Sequence, residues 1–361
     1  MTQTAIPFLF MRGGSSRGPY MNRADLPEDL DTLSEVLLAI VGSGHALNID
    51  GIGGGAAVTT KVAMLSPSPD DWADVDYFFA QVSVEDRLVD FKPTCGNILA
   101  GVGPAAIEMG LVQPEGAETT VKIRAVNTGA KVASTVQTPD GQVSYEGSAQ
   151  IDGVPGSSSP IALSFMDTVG GVTGAFLPTG NLIDEIDGIE VTCMDVAMPV
   201  VVARAESFGL TGHESREELD DNRAFFDRME AVRQIAGQRM GMGDVQKSVT
   251  PKFAIVAPAR DGGTIAARYF MPWKTHPTMA VTGAQCLASC VLTPGTVADA
   301  PLPNESPARI VLEHPSGSIE VLVDYELTAS GFSVKSAGLV RTARKLASGD
   351  VYVPVSVWTK D

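Results

Sequence analysis

Two short apolar segments far apart in the chain begin alike. Cys95-Gly96-Asn97-Ile98-Leu99 opens a run from Ile98 to Met109, and Ala280-Val281-Thr282-Gly283-Ala284 opens a run from Ala284 to Val291. Each puts small residues ahead of a segment apolar enough to be a buried helix, and each lies among short strand-like runs. This repetition predicts two halves, each with one buried helix among twisted strands. It also puts two helix N-termini near the domain interface. Unpaired N–H groups and a partial positive charge at such ends suit a di- or tricarboxylate.

The rest of the chain fits a turn-rich α+β plan. Its 361 residues suffice for about two domains with a sizeable core, and 37 glycines and 23 prolines imply many turns and short strands. Ile6–Met11 reads as a strand leading into the turn Arg12-Gly13-Gly14-Ser15-Ser16-Arg17-Gly18. Leu26–Val41 reads as a helix, with Leu30, Leu33, Leu37 and Ile40 three or four apart. A glycine loop, Gly51-Ile52-Gly53-Gly54-Gly55, runs into the strand-like Ala57–Leu65, and Tyr77–Val84 is strand-like again. Pro104 implies a kink or two shorter turns in the first buried helix. Thr119–Ile151 is β-rich, with a hairpin turn expected at Asp140-Gly141. Breaks between Pro178 and Gly188 place the crossover there, giving halves at 1–185 and 186–344, with about 345–361 returning to the first. Val191–Ala203 is a strand broken at Pro199, and Glu214–Met240 is an amphipathic helix or helical pair. Phe253–Ala257, Thr264–Phe270 and Ile310–Leu312 read as strands.

Charge narrows the function. Against 43 acidic residues stand 26 Lys and Arg, a net −17, which excludes general nucleic-acid binding. Small polyanions are repelled too, unless cations are gathered in one pocket. No stretch of about 18 apolar residues predicts a membrane span, and Ala5–Met11 is too short for a secretory leader. Four cysteines are too few to staple the chain. Cys286 and Cys290 lie one helical turn apart without a second ligand pair, so core thiols are expected over zinc. The four histidines, 45, 213, 276 and 314, make no multi-histidine metal site. A reduced, cytoplasmic protein is the expectation.

Gly51-x-Gly53-x-x-Ala56 matches a relaxed dinucleotide fingerprint, but no convincing strand precedes it and none of its sequel reads as helix. No Gly-Lys pair makes a phosphate loop. The glycines form either a tight turn or a loop whose N–H groups approach an anion. Lys61 stands in the apolar, β-branched Val58–Leu65 segment, either outward in solvent or as a buried amine able to act as a general base. Cys95, at a helix start, is either a small buried thiol or one whose thiolate the helix favours. Arg12, Ser15, Ser16 and Arg17 share one turn, either a plain surface turn or a carboxylate-binding set of cation, hydroxyl and backbone donors. No Gly-x-Ser-x-Gly nucleophile elbow exists.

Taken in order, three motifs resemble the PrpF family: Met11-Arg12-Gly13-Gly14-Ser15-Ser16-Arg17-Gly18; Gly51-Ile52-Gly53-Gly54 with Thr59-Thr60-Lys61-Val62-Ala63; and Cys95-Gly96-Asn97-Ile98-Leu99-Ala100-Gly101-Val102-Gly103-Pro104. Pro251-Lys252, His276 and Val281-Thr282-Gly283-Ala284 look like its second half, so the resemblance runs from Ile6 to about Pro354. It implies two topologically similar diaminopimelate epimerase-like halves, with strands wrapped around a central helix in each and the active site in the cleft between them. It implies a cofactor-free, metal-free isomerase of small unsaturated di- or tricarboxylates, with Lys61 and Cys95 catalytic. Substrate contacts are expected at Arg12, Ser15, Ser16, Gly53, Gly54, Thr60, Gly96 and Asn97, and at Lys274, His276, Thr282 and Gly283. The favoured substrate is 4-oxalomesaconate, tautomerised in gallate- or protocatechuate-type aromatic acid breakdown. The alternatives are 2-methylaconitate or methylitaconate isomerisation, and a non-catalytic carboxylate-binding accessory protein. Neither nucleic acid nor membrane is an expected partner, and a homo-oligomer is left open. One departure from the epimerases matters: where they carry a second cysteine this chain has Ala280, so two opposed thiols cannot invert a stereocentre.

Overall fold

The computed structural model describes residues 2–151, 153–271, 273–298, 300, 305–328 and 331–360. The chain divides into two compact units, 1–164 with 340–361, and 165–339. The Pro178–Gly188 stretch lies inside the second.

The first unit holds β1 (Gln3–Gly13), β2 (Ser16–Asn22), α1 (Leu30–Val41), β3 (Lys61–Pro67), β4 (Val75–Val82), β5 (Val89–Asp90), α2 (Gly96–Leu99), α3 (Val102–Glu108), β6 (Glu118–Ala125) and β7 (Lys131–Gln137). Next, β8 (Pro160–Met166) spans the division. In the second unit follow β9 (Asp184–Ile186), β10 (Ile189–Val196), β11 (Met198–Arg204), α4 (Arg216–Asp220), α5 (Arg223–Arg239), β12 (Lys252–Ala257) and β13 (Ile265–Phe270). α6 (Val281–Leu292), β14 (Ala308–His314) and β15 (Gly317–Thr328) complete it. Last comes β16 (Gly331–Pro354), which pairs with β15 through its first residues and with β1 through Ala343–Pro354.

The two units repeat one pairing scheme. Strands β1 to β7, leaving out the short β5, pair antiparallel, parallel, antiparallel, parallel, antiparallel. Strands β10 to β15 pair in the same sequence. Parallel neighbours need a long crossover, and helices occupy both crossovers of each unit. α1 matches α4 and α5, while α2 and α3 match α6. The expected α+β fold of two like halves therefore holds. The two similar helix starts, at Cys95 and Ala280, occupy equivalent places in it.

Local chemistry explains the elements. The Asp29 carboxylate accepts the Thr32 N–H at the start of α1, and Gly42, at φ 77°, ends it. Leu33, Val36, Leu37, Ile40 and Val41 then face a core with Ile6, Val62 and Met64. α6 is buried from Gly283 to Leu292, carrying Cys286 and Cys290 inside. Burial pushes the Cys286 thiol up, and pushes Cys193 on β10 up to about 12, as suits core thiols. No helix among the described residues is long and apolar enough to cross a membrane.

Several sequence expectations need correction. Ala57–Thr59 is a single 3-10 turn, so the strand starts only at Lys61. The first buried helix breaks at Ala100-Gly101, ahead of Pro104. Pro104 sits in the first turn of α3, where its missing N–H costs nothing. The β6–β7 hairpin turns at residues 126–130, with Gly129 at φ 74°, whereas Asp140-Gly141 forms a 3-10 turn beyond β7. The β10–β11 strand pair turns at Ala197, φ 60°, and Pro199 lies within β11.

Candidate functional site

Lys61 begins β3 and stands opposite Gln81 on β4. Side chains on one face of a sheet recur every second residue, so Lys61 shares a face with Ala63 and with Tyr77, Phe79 and Gln81. The amine is half-buried. Its Nζ donates to Gln81 Oε1 at 2.6 Å and lies 5.3 Å from the centre of the buried Phe79 ring. The lysine is therefore neither fully solvated nor sealed in the core.

The same face meets the start of α2. The Tyr77 hydroxyl donates to the Cys95 carbonyl at 3.4 Å, and the fully buried Tyr20 hydroxyl donates to Ile98 O at 2.6 Å. Cys95 is the half-buried residue before the helix, in extended conformation, and no side chain caps the helix there. The first helical bond runs from Leu99 N–H to Cys95 O, which leaves the N–H groups of Gly96, Asn97 and Ile98 outside the helical ladder. A Cβ built on the exposed Gly96 would touch nothing within 4 Å, so space is open beside these donors. Because α2 has only 4 residues, its aligned dipoles sum to little; the donors are individual N–H groups.

The glycine turn between β1 and β2 packs on this helix start. A Cβ on Gly14 would lie 2.2 Å from Asn97 Oδ1, and Ser15 N–H donates to that oxygen at 3.4 Å. The two motifs that sequence reading singled out separately are thus brought together. Ser15 is at the exposed tip; Ser16 is buried in β2, paired with Gly13. Arg12 is more occupied than expected. Its Nη1 donates to Gly14 O at 2.9 Å and to the Thr342 carbonyl and hydroxyl at 3.0 and 2.9 Å, and Nη2 donates to Ser158 Oγ at 3.2 Å. Burial, and then the nearby Arg344, hold the Arg12 guanidinium below its ordinary value. Two cations so close in a chain of net −17 make a positive spot that an anion would relieve.

At two of the expected contacts a donor is already engaged within the fold. Gly53 N–H donates to Val41 O at 3.0 Å, so that donor is spent within the loop. Thr60 is fully buried, its hydroxyl donating to Val82 O at 2.7 Å and accepting from Gln81 Nε2 at 3.2 Å. Gly54 lies elsewhere, against the exposed Arg17: a Cβ there would be 2.6 Å from Arg17 Nη2 and 2.7 Å from Thr59 Oγ1. Sequence reasoning missed Asn48, which holds the loop. At φ 48° and nearly fully buried, it donates through Nδ2 to Gly42 O, His45 O and Val84 O and accepts from Gly55 N–H at 2.8 Å. The turn-forming habit of asparagine, just ahead of the glycine loop, was the available signal.

The second unit carries the remaining candidates. α6 starts at Ala280, again without a side-chain cap, with Thr282 half-buried and Gly283 buried against the Tyr269 ring. A Cβ on Gly283 would lie 2.4 Å from that ring, so only glycine fits. His276 N–H donates to Tyr269 O at 2.7 Å, and the two rings meet edge to face at 6.1 Å. Burial, aided by Lys252, holds the half-buried His276 ring below its usual range. Lys274 is exposed, its carbonyl accepting Met271 N–H.

Known proteins resemble this chain over nearly its whole length. The family model described as PrpF protein matches residues 3–354. The 4-oxalomesaconate tautomerase of Pseudomonas putida is 45% identical over 360 residues, 99% of each chain. The (4E)-oxalomesaconate Delta-isomerase of a Novosphingobium species is 45% identical over 351 residues, 97% of this chain and 98% of that one. Among solved structures, methylitaconate-delta-isomerase superposes with a TM-score of 0.88 at 33% identity, covering 100% of this chain and 98% of the other.

Proposed function

Since the chain belongs to the PrpF family, we propose that it is an isomerase moving a proton on an unsaturated polycarboxylate, with the keto-to-enol tautomerisation of 4-oxalomesaconate as its reaction. Lys61 carries this reading: an amine held by an uncharged partner on the sheet face whose Tyr77 meets a helix start, where the first N–H groups lie outside the helical ladder. The 45% identity to a 4-oxalomesaconate tautomerase over 99% of both chains supports the substrate. The reading extends to a cytoplasmic enzyme that needs no cofactor and serves aromatic acid breakdown of the gallate type.

A methylene beside a keto group is acidic because the electron pair left behind spreads onto oxygen. The Lys61 amine takes that proton: the C–H bond breaks, an N–H bond forms, and the pair becomes the C=C of an enolate. Donors aimed at the developing charge lower the barrier, a role suited to the N–H groups of Gly96 and Asn97. The Cys95 thiol then protonates the enolate oxygen, and the Lys61 ammonium restores the thiol. In an allylic isomerisation Lys61 would instead return the proton to the far carbon.

Substrate carboxylates are assigned to Ser15, to the start of α2 and to Arg12. A carboxylate would displace the long Nη2–Ser158 bond, because the guanidinium binds a charged acceptor more strongly than an uncharged hydroxyl. Each such contact is worth about 1.5–3 kcal/mol, so Arg12→Ala should raise KM tenfold or more. Ser158→Ala, which only releases Nη2, should leave KM at or below that of the unaltered protein. An unchanged KM in Arg12→Ala would remove this arginine from the site.

The substrate itself is tested by ultraviolet spectroscopy in metal-free buffer, with 4-oxalomesaconate, 2-methylaconitate and methylitaconate in turn. A spectral change with 4-oxalomesaconate at the highest kcat/KM is expected. A change confined to either of the others reassigns the substrate, and binding without any change makes the protein an accessory carboxylate binder.

A further inference from the structure

Resting on the reading of Lys61 as the base, we infer that Gln81 is a positioning residue, whose side-chain amide fixes the Lys61 amine on the sheet face without adding charge beside it. The antiparallel register of β3 and β4 sets the two residues opposite each other. Gln81 Nε2 lies 3.2 Å from Ala57 O, 3.4 Å from Thr60 O and 3.2 Å from Val82 O. Only the end of an amide that carries hydrogens can sit among carbonyl oxygens. The Thr60 hydroxyl, donating to Val82 O, is a further acceptor at 3.2 Å. These contacts fix the amide plane and aim Oε1 at Lys61 Nζ, 2.6 Å away.

A lysine stem has four rotatable carbons, and an unpinned amine would wander among rotamers at the moment of proton transfer. The bond to Oε1, with the Phe79 ring centre 5.3 Å from Nζ, favours one of them. Glutamine also differs from glutamate in a way that matters for a base. A carboxylate at this distance would hold the amine as an ammonium, which cannot accept a proton. Titratable groups nearby are Tyr20 on β2, beside Ala63, Tyr77 on β4, Cys95 before α2, and Asp90 on β5, which is in register with Gln81 but exposed and accepts the Lys92 N–H.

The test compares Gln81→Met and Gln81→Glu with the unaltered protein and with Lys61→Met, reading kcat, KM, the pH profile of kcat and the melting temperature. Gln81→Met should lower kcat about 10- to 100-fold with KM changed less than about threefold, as expected for a reacting group displaced by about 1 Å. Gln81→Glu should move the acid limb of the kcat profile up by about one to three pH units, with turnover recovering above it. A merely structural glutamine would move the melting temperature in both variants but not the acid limb. A folded Gln81→Glu protein with an unmoved limb, or Gln81→Met with kcat within about threefold of the unaltered value, overturns the inference. If Gln81→Glu does not fold, Gln81→Met decides alone. Lys61→Met separates the two failures: turnover surviving there removes the base itself, while turnover lost there but kept in the Gln81 variants removes only the role of Gln81.

Discussion

Lys61→Met should lower kcat by about 10²–10⁴-fold or more, the usual loss when a general base is removed, while KM stays within a few-fold. Methionine keeps an unbranched apolar stem that can lie on Phe79, so the sheet face stays filled. What disappears is the amine that shares that face with Tyr77, Phe79 and Gln81. The carboxylate contacts belong to other residues, so binding survives. The Gln81 carbonyl loses its partner at a half-buried position that water reaches, which limits the stability cost. Cys95→Ser should cost less, because a hydroxyl can still relay a proton, though it is a weaker acid than a thiol. Should the cysteine variant be dead and the lysine variant active, the roles are reversed and Cys95 is the base.

Gly18→Ala should damage both stability and turnover, although position 18 is neither catalytic nor strained. A Cβ there would lie 1.8 Å from the Lys61 carbonyl oxygen and 2.9 Å from its carbonyl carbon. Those are backbone atoms, which cannot swing aside as a side-chain tip can. β2 and β3 are parallel neighbours, with Tyr20 beside Ala63, so a methyl group at 18 must push the first residue of β3 away. Overpacking of this kind costs about 1–3 kcal/mol and at times more. It also displaces Lys61 itself, and about 1 Å of misplacement can cost about 100-fold in rate. A melting curve and kcat measured well below the melting temperature separate the two effects. Gly96→Ala is the contrast: its methyl meets nothing, so melting should hold while KM rises from crowding of the α2 donors. A Gly18→Ala protein with unaltered melting and kcat would contradict the close approach of these strands.

The two buried helices were legible because their signal is local: small residues, then an uninterrupted apolar run. The pairing scheme that makes the units alike was not, since it joins strands whose partners lie far off in sequence. Lys61 stood out as a charge in an apolar, β-branched segment. Gln81, 20 positions on, did not, because a glutamine on a half-exposed strand is ordinary until the register sets it opposite the lysine. Thr60 and Gly53 illustrate a related point. Sequence shows that a residue owns a hydroxyl or an N–H, but only the structure shows that Val82 and Val41 already use them. Ala57–Thr59 read as strand because alanine, valine and threonine extend the pattern of β3, whereas the Thr59 N–H closes a turn onto Ala56 O. Pro104 signals the division into two short helices, which falls at Ala100-Gly101 because a proline in a first turn marks where a helix begins.

Hydrogen–deuterium exchange at the substrate tests Lys61 as the proton acceptor most directly. Proton NMR of 4-oxalomesaconate in D2O would follow the methylene signal with the unaltered enzyme, with Cys95→Ser and with Lys61→Met, after subtraction of the rate without protein. Breaking the C–H bond at Lys61 predicts rapid loss of that signal with the first two proteins and only the background rate with the third. Loss of the signal with Lys61→Met as fast as with the unaltered enzyme would contradict the account.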